Sequence, residues 1–118
     1  MSAAAMRQPV DLEHLSLYTG GAADINAEVL ELFVRQCAQA LVRLHNLIEA
    51  RDTKNWRDTL HTLRGSALGV GAFSLAENLA MAEAVNPALA PAAAAAALES
   101  VRSGSNMVST FLAAYRRR

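Results

Sequence analysis

His61 is the side chain in this sequence whose neighbours point to a particular chemistry. The run Leu60-His61-Thr62-Leu63-Arg64-Gly65-Ser66-Ala67-Leu68-Gly69-Val70 reads as helix, because Trp56, Leu60, Leu63, Ala67 and Val70 recur at spacings of three and four. His61 falls about 100° round from Leu60, off that apolar stripe and toward water. The positions sharing its face, at i−4, i+3, i+4 and i+7, are Arg57, Arg64, Gly65 and Leu68. Imidazole is substantially neutral at pH 7 and keeps a free ring nitrogen for attack. A phosphoryl group placed there brings negative charge and strong acceptor oxygens, which a guanidinium one turn away would hold. Glycine inside a helix costs roughly 1 kcal/mol relative to alanine, so Gly65 needs a reason. Clearing the Cβ at i+4 makes room for a phosphate and for a partner that approaches closely. The plainer alternative is that Gly65 ends the helix and His61 is an ordinary surface histidine.

The longer pattern separates the two. His61-x-Leu63-Arg64-Gly65-Ser66-x(4)-Gly71-Ala72 resembles the signature of the histidine-containing phosphotransfer (HPt) domains of bacterial phosphorelays. In that family the run reads His-x-Leu-Lys-Gly-Ser and is followed by Gly-Ala after a short apolar stretch. The resemblance implies that His61 carries the phosphoryl group, that Arg64 stabilises it and that Gly65 gives access. Arg64 stands where the family usually has Lys, which keeps the charge and changes the donor geometry. Ala67 stands where a second Ser is common, and Leu60 where a small Ala often precedes the histidine.

Composition bounds the fold. A chain of 118 residues suits one domain with a single core. Hydrophobic residues make up 53% and aromatic ones only 5%, so the core must come from Ala, Leu and Val, which favours packed helices over a sheet. Eleven basic and 11 acidic residues balance, leaving no overall electrostatic case for nucleic acid. The single Cys37 excludes an internal disulfide and fits a reducing cytoplasm. No apolar run reaches the length of a membrane span, and the N-terminal residues lack the pattern of a signal peptide. No two cysteines, no His-x-x-x-His or Glu-x-x-His pair and no phosphate-binding glycine loop is present.

The elements that must position His61 follow in order. Residues 1–9 read as a disordered lead, and 10–118 as one helical-bundle domain. Val10 to Tyr18 predicts a short helix, broken by Gly20-Gly21. Asp24 is the expected cap of a long helix whose stripe is Leu30, Phe33, Val34, Cys37, Leu41, Leu44 and Ile48. Residues 51–55 read as a short polar connection, so the next helix, beginning near Asp52 or Thr53, is an antiparallel neighbour. Lys54 and Arg57 lie within about 40° of the His61 direction and make the local field positive. Gly69 and Gly71 end or loosen that helix. A fourth, with Phe73, Leu75, Leu79 and Met81 as its apolar positions, is expected from about Ala72 to Val85 and stops at Asn86-Pro87. Glu83, near its end, reads as a salt-bridged or solvated position. Pro91 and the alanines after it open a last helix, softened at Gly104.

Together these predict an all-α chain: an antiparallel up-down four-helix bundle with a short extra N-terminal helix. The resemblance implies a phosphoryl carrier, not an enzyme. It takes the group from the receiver domain of a hybrid histidine kinase and gives it to that of a response regulator. It has no cofactor of its own, Mg²⁺ coming with the receiver. Leu68 and its apolar neighbours would form the docking patch, with Arg57 and Lys54 as further docking or field residues. A monomer in the cytoplasm, binding neither nucleic acid nor membrane, is the accompanying expectation. Two other readings stay open. One is a helical module that docks a response regulator without phosphate. The other is an enzyme acting on receivers, which would need an acid or amide beside His61 that its own helical face does not supply.

Overall fold

The computed structural model describes residues 8–117. Among them the chain forms α1 (Leu12–Thr19), α2 (Ala23–Ala50), α3 (Thr53–Val70), α4 (Phe73–Glu83) and α5 (Pro91–Arg116), with no strand. Helix α2 packs on α3 and α5, and α4 packs on the same two; among the described residues the backbones of α2 and α4, and of α3 and α5, stay apart across the core. The four long helices therefore close a ring round one core, and α1 lies across α2 and α3. The seam is aliphatic and small, as the composition requires: Leu30, Leu44, Leu60, Leu63, Ala67, Leu79, Ala82, Ala94 and Val101 are all buried. Among the described residues no helix is long and apolar enough to cross a membrane.

Local chemistry fixes the ends. Asp11 caps α1 by accepting the His14 N–H at 3.1 Å, so α1 starts two residues later than the periodicity suggests, with Val10 buried just ahead of it. The expected lead falls outside the described residues except for Gln8 and Pro9, and Pro9 is already half-buried. Ala22, not Asp24, is the N-cap of α2, and it offers no side-chain bond. Asp24 sits inside the first turn, where its charge favours the positive helix end. The link from α2 to α3 is only Arg51-Asp52, with Arg51 in the left-handed region at φ 54°. Thr53, Lys54 and Asn55 belong to α3, because Asp52 caps them: its Oδ1 accepts the Asn55 N–H at 3.1 Å and its Oδ2 the Asn55 amide at 2.7 Å. Those two bonds hold the Asp52 carboxyl below its ordinary range.

Two sequence expectations change in the packing. Met81 is 71% exposed, because the buried stripe of α4 is Leu75, Ala76, Leu79 and Ala82, and Met81 lies about 200° round from Leu79. Helix α5 runs through Gly104 unbroken, since the missing side chain there lets α4 approach: a Cβ would stand 3.0 Å from Leu75 Cδ1 and 3.1 Å from the Asn78 amide. At the other end of α5, Tyr115 OH accepts the amide of buried Asn26 at 3.3 Å, and Thr19 Oγ1 donates to the same Asn26, so one satisfied polar residue joins α1, α2 and α5.

Gly71 ends α3 with φ 83°, and its carbonyl accepts the Asp11 N–H at 2.9 Å. An added Cβ would come within 2.7 Å of the Asp11 carbonyl oxygen. Gly71→Ala combines left-handed strain with that clash and is expected to lose about 2 kcal/mol or more. Gly69→Ala, in an open right-handed helix position with nothing within 4 Å, is expected to gain up to about 1 kcal/mol. Denaturant unfolding of the pair checks both; a Gly71→Ala chain as stable as wild type would refute the assignment.

Candidate functional site

Trp56 sets the level at which α3 meets α4. It is fully buried, and its Nε1–H donates to the Ala82 carbonyl at 3.1 Å. That bond fixes how far α4 has slid along α3, and with it which α4 side chain stands beside His61. The residue after Ala82 is Glu83, and its Oε1 lies 3.1 Å from His61 Nδ1. The second oxygen, Oε2, is buried and lies 3.5 Å from Arg64 Nη1, an ion-pair distance outside hydrogen-bond geometry. One carboxylate thus touches both the imidazole and the guanidinium.

The burial of the three is graded. Side-chain exposure is 73% for His61, 41% for Arg64 and 24% for Glu83. The carboxylate is the fixed, inner member and the imidazole the outer one. An ionised carboxylate can only accept, so its contact holds the ring proton on Nδ1 and leaves the Nε2 lone pair directed away from α4. A histidine in that tautomer is a nucleophile at Nε2, with a fixed anion behind it to meet positive charge developing on the ring.

The remaining expected residues divide. Gly65 has nothing within 4 Å of where a Cβ would stand, and its backbone is ordinary right-handed helix. Packing within the chain does not require glycine there, so the open space beside His61 faces outward; Gly69 shares that property. Leu68 is 42% exposed and borders a shallow groove of about 180 Å³ with Arg64, Phe73, Ala76, Glu77 and Ala80. Lys54 is drawn to Asp58, its Nζ 2.8 Å from Oδ2, and that contact raises its pKa. Arg57 is exposed and has no hydrogen bond or ion pair to any described residue.

The other two histidines are placed differently. His14 packs edge-on against Phe73 and Tyr18, with ring centroids 5.0 and 5.5 Å away. His45 faces Glu49 one turn along its own helix at 3.5 Å. Cys37 is buried at the α2–α5 seam, where burial pushes its thiol up to about 11 and makes it an unreactive core residue.

Glu83 is the residue that sequence reasoning placed without finding its role. On α3 the nearest acid, Asp58 at i−3, is taken up by Lys54; the acid that reaches the imidazole comes from α4. The signal was the turn at Gly71: His61 lies ten residues before it and Glu83 twelve after it, so two helices folding back from that turn bring them level. Among the described residues no group of three His, Cys, Asp or Glu side chains is placed to hold a metal ion.

A search of curated proteins and a search of solved structures each returned no match. The family model described as Hpt domain matches residues 28–113, a span that holds α3, α4 and nearly all of α2 and α5. A solvent-facing histidine on one helix of an all-helical ring, backed by a carboxylate from the next, lies inside that match, and the chain belongs to the Hpt domain family.

Proposed function

We propose that this chain relays a phosphoryl group between receiver-domain aspartates through phosphorylated His61. Family membership supports histidine phosphotransfer within a two-component phosphorelay, and the observation that carries the residue assignment is the Nδ1 contact with Glu83, which leaves Nε2 outward. In the forward step the Nε2 lone pair forms a bond to phosphorus as the bond from phosphorus to the aspartyl oxygen breaks. The electron pair of that bond leaves with the carboxylate. The Nδ1 proton stays on the ring, whose new positive charge faces Glu83. The return step to a second aspartate reverses each of these changes.

Arg64 neutralises Glu83 beside the arriving anion; Gly65 leaves the approach open; Leu68, with Phe73, Ala76 and Ala80, gives the receiver an apolar contact rimmed by Arg64 and Glu77. The receivers are those of a hybrid histidine kinase and a response regulator, and they bring Mg²⁺ with them. The chain is a carrier without a kinase activity of its own. Residues 10–118 act as one domain, an antiparallel up-down bundle, and work as a cytoplasmic monomer. The antiparallel reading is supported by the bonds Arg43 to Thr59, His61 to Glu83, Asn78 to Ser100 and Asn26 to Tyr115, each joining successive or closing helices in opposite sense.

Incubation with phosphoramidate, followed by intact mass, tests the assignment. One added, acid-labile phosphate is the expected result. A folded chain that takes no label would instead leave a docking module that works without phosphate. Glu83→Ala frees both His61 Nδ1 and Arg64, and is expected to slow labelling by about tenfold, the order lost when a histidine's outer partner is removed at metal sites. Imidazole nitrogen shifts read the cause directly: the variant should lose the Nδ1–H tautomer. Unchanged shifts and an unchanged rate would remove Glu83 from the mechanism.

A further inference from the structure

The charges around His61 do not cancel. Three cations lie on its helical face, Lys54, Arg57 and Arg64, and two acids are within reach, Asp58 and Glu83. Lys54 is matched by Asp58 at 2.8 Å, and Arg64 by Glu83 at 3.5 Å. Arg57 is left over, exposed and without a partner among the described residues. A neutral protein therefore keeps one uncompensated guanidinium one turn from its nucleophile.

Position puts the same residue within reach. Side chains at i and i+4 on a helix are neighbours, with Cβ atoms about 5–6 Å apart. Helical side chains lean toward the helix N-terminus, which brings the His61 ring toward the turn of Arg57 and the Arg64 stem toward that of His61, so both guanidiniums border the ring and their partners decide between them. Glu83 and Arg64 meet at the Nδ1 edge of the ring. The phosphoryl group forms on the other nitrogen, away from that pair. Arg64 would have to leave a half-buried carboxylate to reach the phosphoryl oxygens, and Arg57 has nothing to leave.

Resting on the reading of His61 as the phosphoryl carrier, we propose that Arg57 is the residue that binds the phosphoryl oxygens of phosphorylated His61. Arg64 then acts through Glu83, and Lys54 stays with Asp58. A guanidinium presents a planar fork of donors to such oxygens, and the group it meets carries close to two negative charges. In the resting protein the same unmatched charge draws an acyl phosphate toward Nε2.

The test is a ³¹P NMR titration of the whole chain after phosphoramidate labelling. A bound cation favours the doubly ionised phosphoryl group, so Arg57→Gln should raise the midpoint of its second ionisation by about half a unit, the scale of an exposed ion pair. Arg57→Lys should recover most of that shift. Arg102→Gln, which removes one charge from α5, should leave the midpoint where it is. An Arg57→Gln chain that titrates like wild type would overturn the assignment of Arg57 while leaving His61 as the carrier. The absence of any phosphohistidine resonance from the wild-type chain would overturn the carrier reading itself.

Discussion

His61→Gln is expected to take no acid-labile phosphate under conditions in which the wild-type chain takes one. In the proposed step the imidazole supplies the nucleophilic atom, and an amide nitrogen cannot replace it. The substitution should leave the bundle intact, because the side chain is 73% exposed and its one bond is to the rim of α4. A stability change within about 0.5 kcal/mol is the expectation for such a surface position. Loss of label with the same unfolding midpoint therefore isolates chemistry from folding. His45 is the demanding internal control: it is exposed and also faces a glutamate, at 3.5 Å, so exposure and a nearby acid are common to both sites. Label that persists in His61→Gln and maps to His45 or His14 would mean that any accessible imidazole reacts and that the site around His61 adds nothing.

The second large effect is structural. Trp56→Ala should cost about 3–5 kcal/mol, the range for removing a fully buried large aromatic side chain. Small domains are stable by roughly 5–15 kcal/mol, so this variant approaches the edge of folding. Trp56→Phe keeps most of the apolar burial and loses the bond to the Ala82 carbonyl, and should cost about 1 kcal/mol. Urea midpoints measure both. A loss below about 1 kcal/mol in Trp56→Ala would show that the space can be refilled and that Trp56 does not fix the contact of α3 with α4. Under conditions in which Trp56→Phe remains folded, its labelling rate reads how strictly the level of Glu83 must be kept.

The long amphipathic helices were legible because one physical rule, apolar residues at spacings of three and four, decides them. Leu30, Phe33, Cys37, Leu41 and Leu44 are buried as that rule requires, and so are Leu60, Leu63, Ala67 and Val70. The rule failed where the core is made of alanine. Met81 was the obvious apolar residue of α4, yet Ala76 and Ala82 hold the interior positions, because closely spaced helices have room for methyl groups and not for a thioether. The starts of α3 and α5 were legible from Asp52, which caps, and Pro91, which suits a first helical turn; the start of α2 was illegible at Ala22, which offers no side-chain bond. At the site, His61 and its face followed from one helix. Glu83 did not, since its role depends on the register between two helices, and that register is set by a buried tryptophan.

The closed ring has a consequence for how such a chain can change. Because α5 packs on α2 and α4 and its backbone does not approach α3 among the described residues, it stands one helix removed from His61. A substitution on its outward face has no direct route to His61 and must act through α2 or through α4, at places such as the notch where Gly104 receives Leu75. The same ring leaves the outward face of α3 in contact with no other helix across the bundle. On the proposed reading, partner choice and structural support are thereby written on opposite faces of α3, whose inner face carries Trp56, Leu60, Leu63 and Ala67. One can drift while the other is held, and new signalling pairs can be tried without risking the fold.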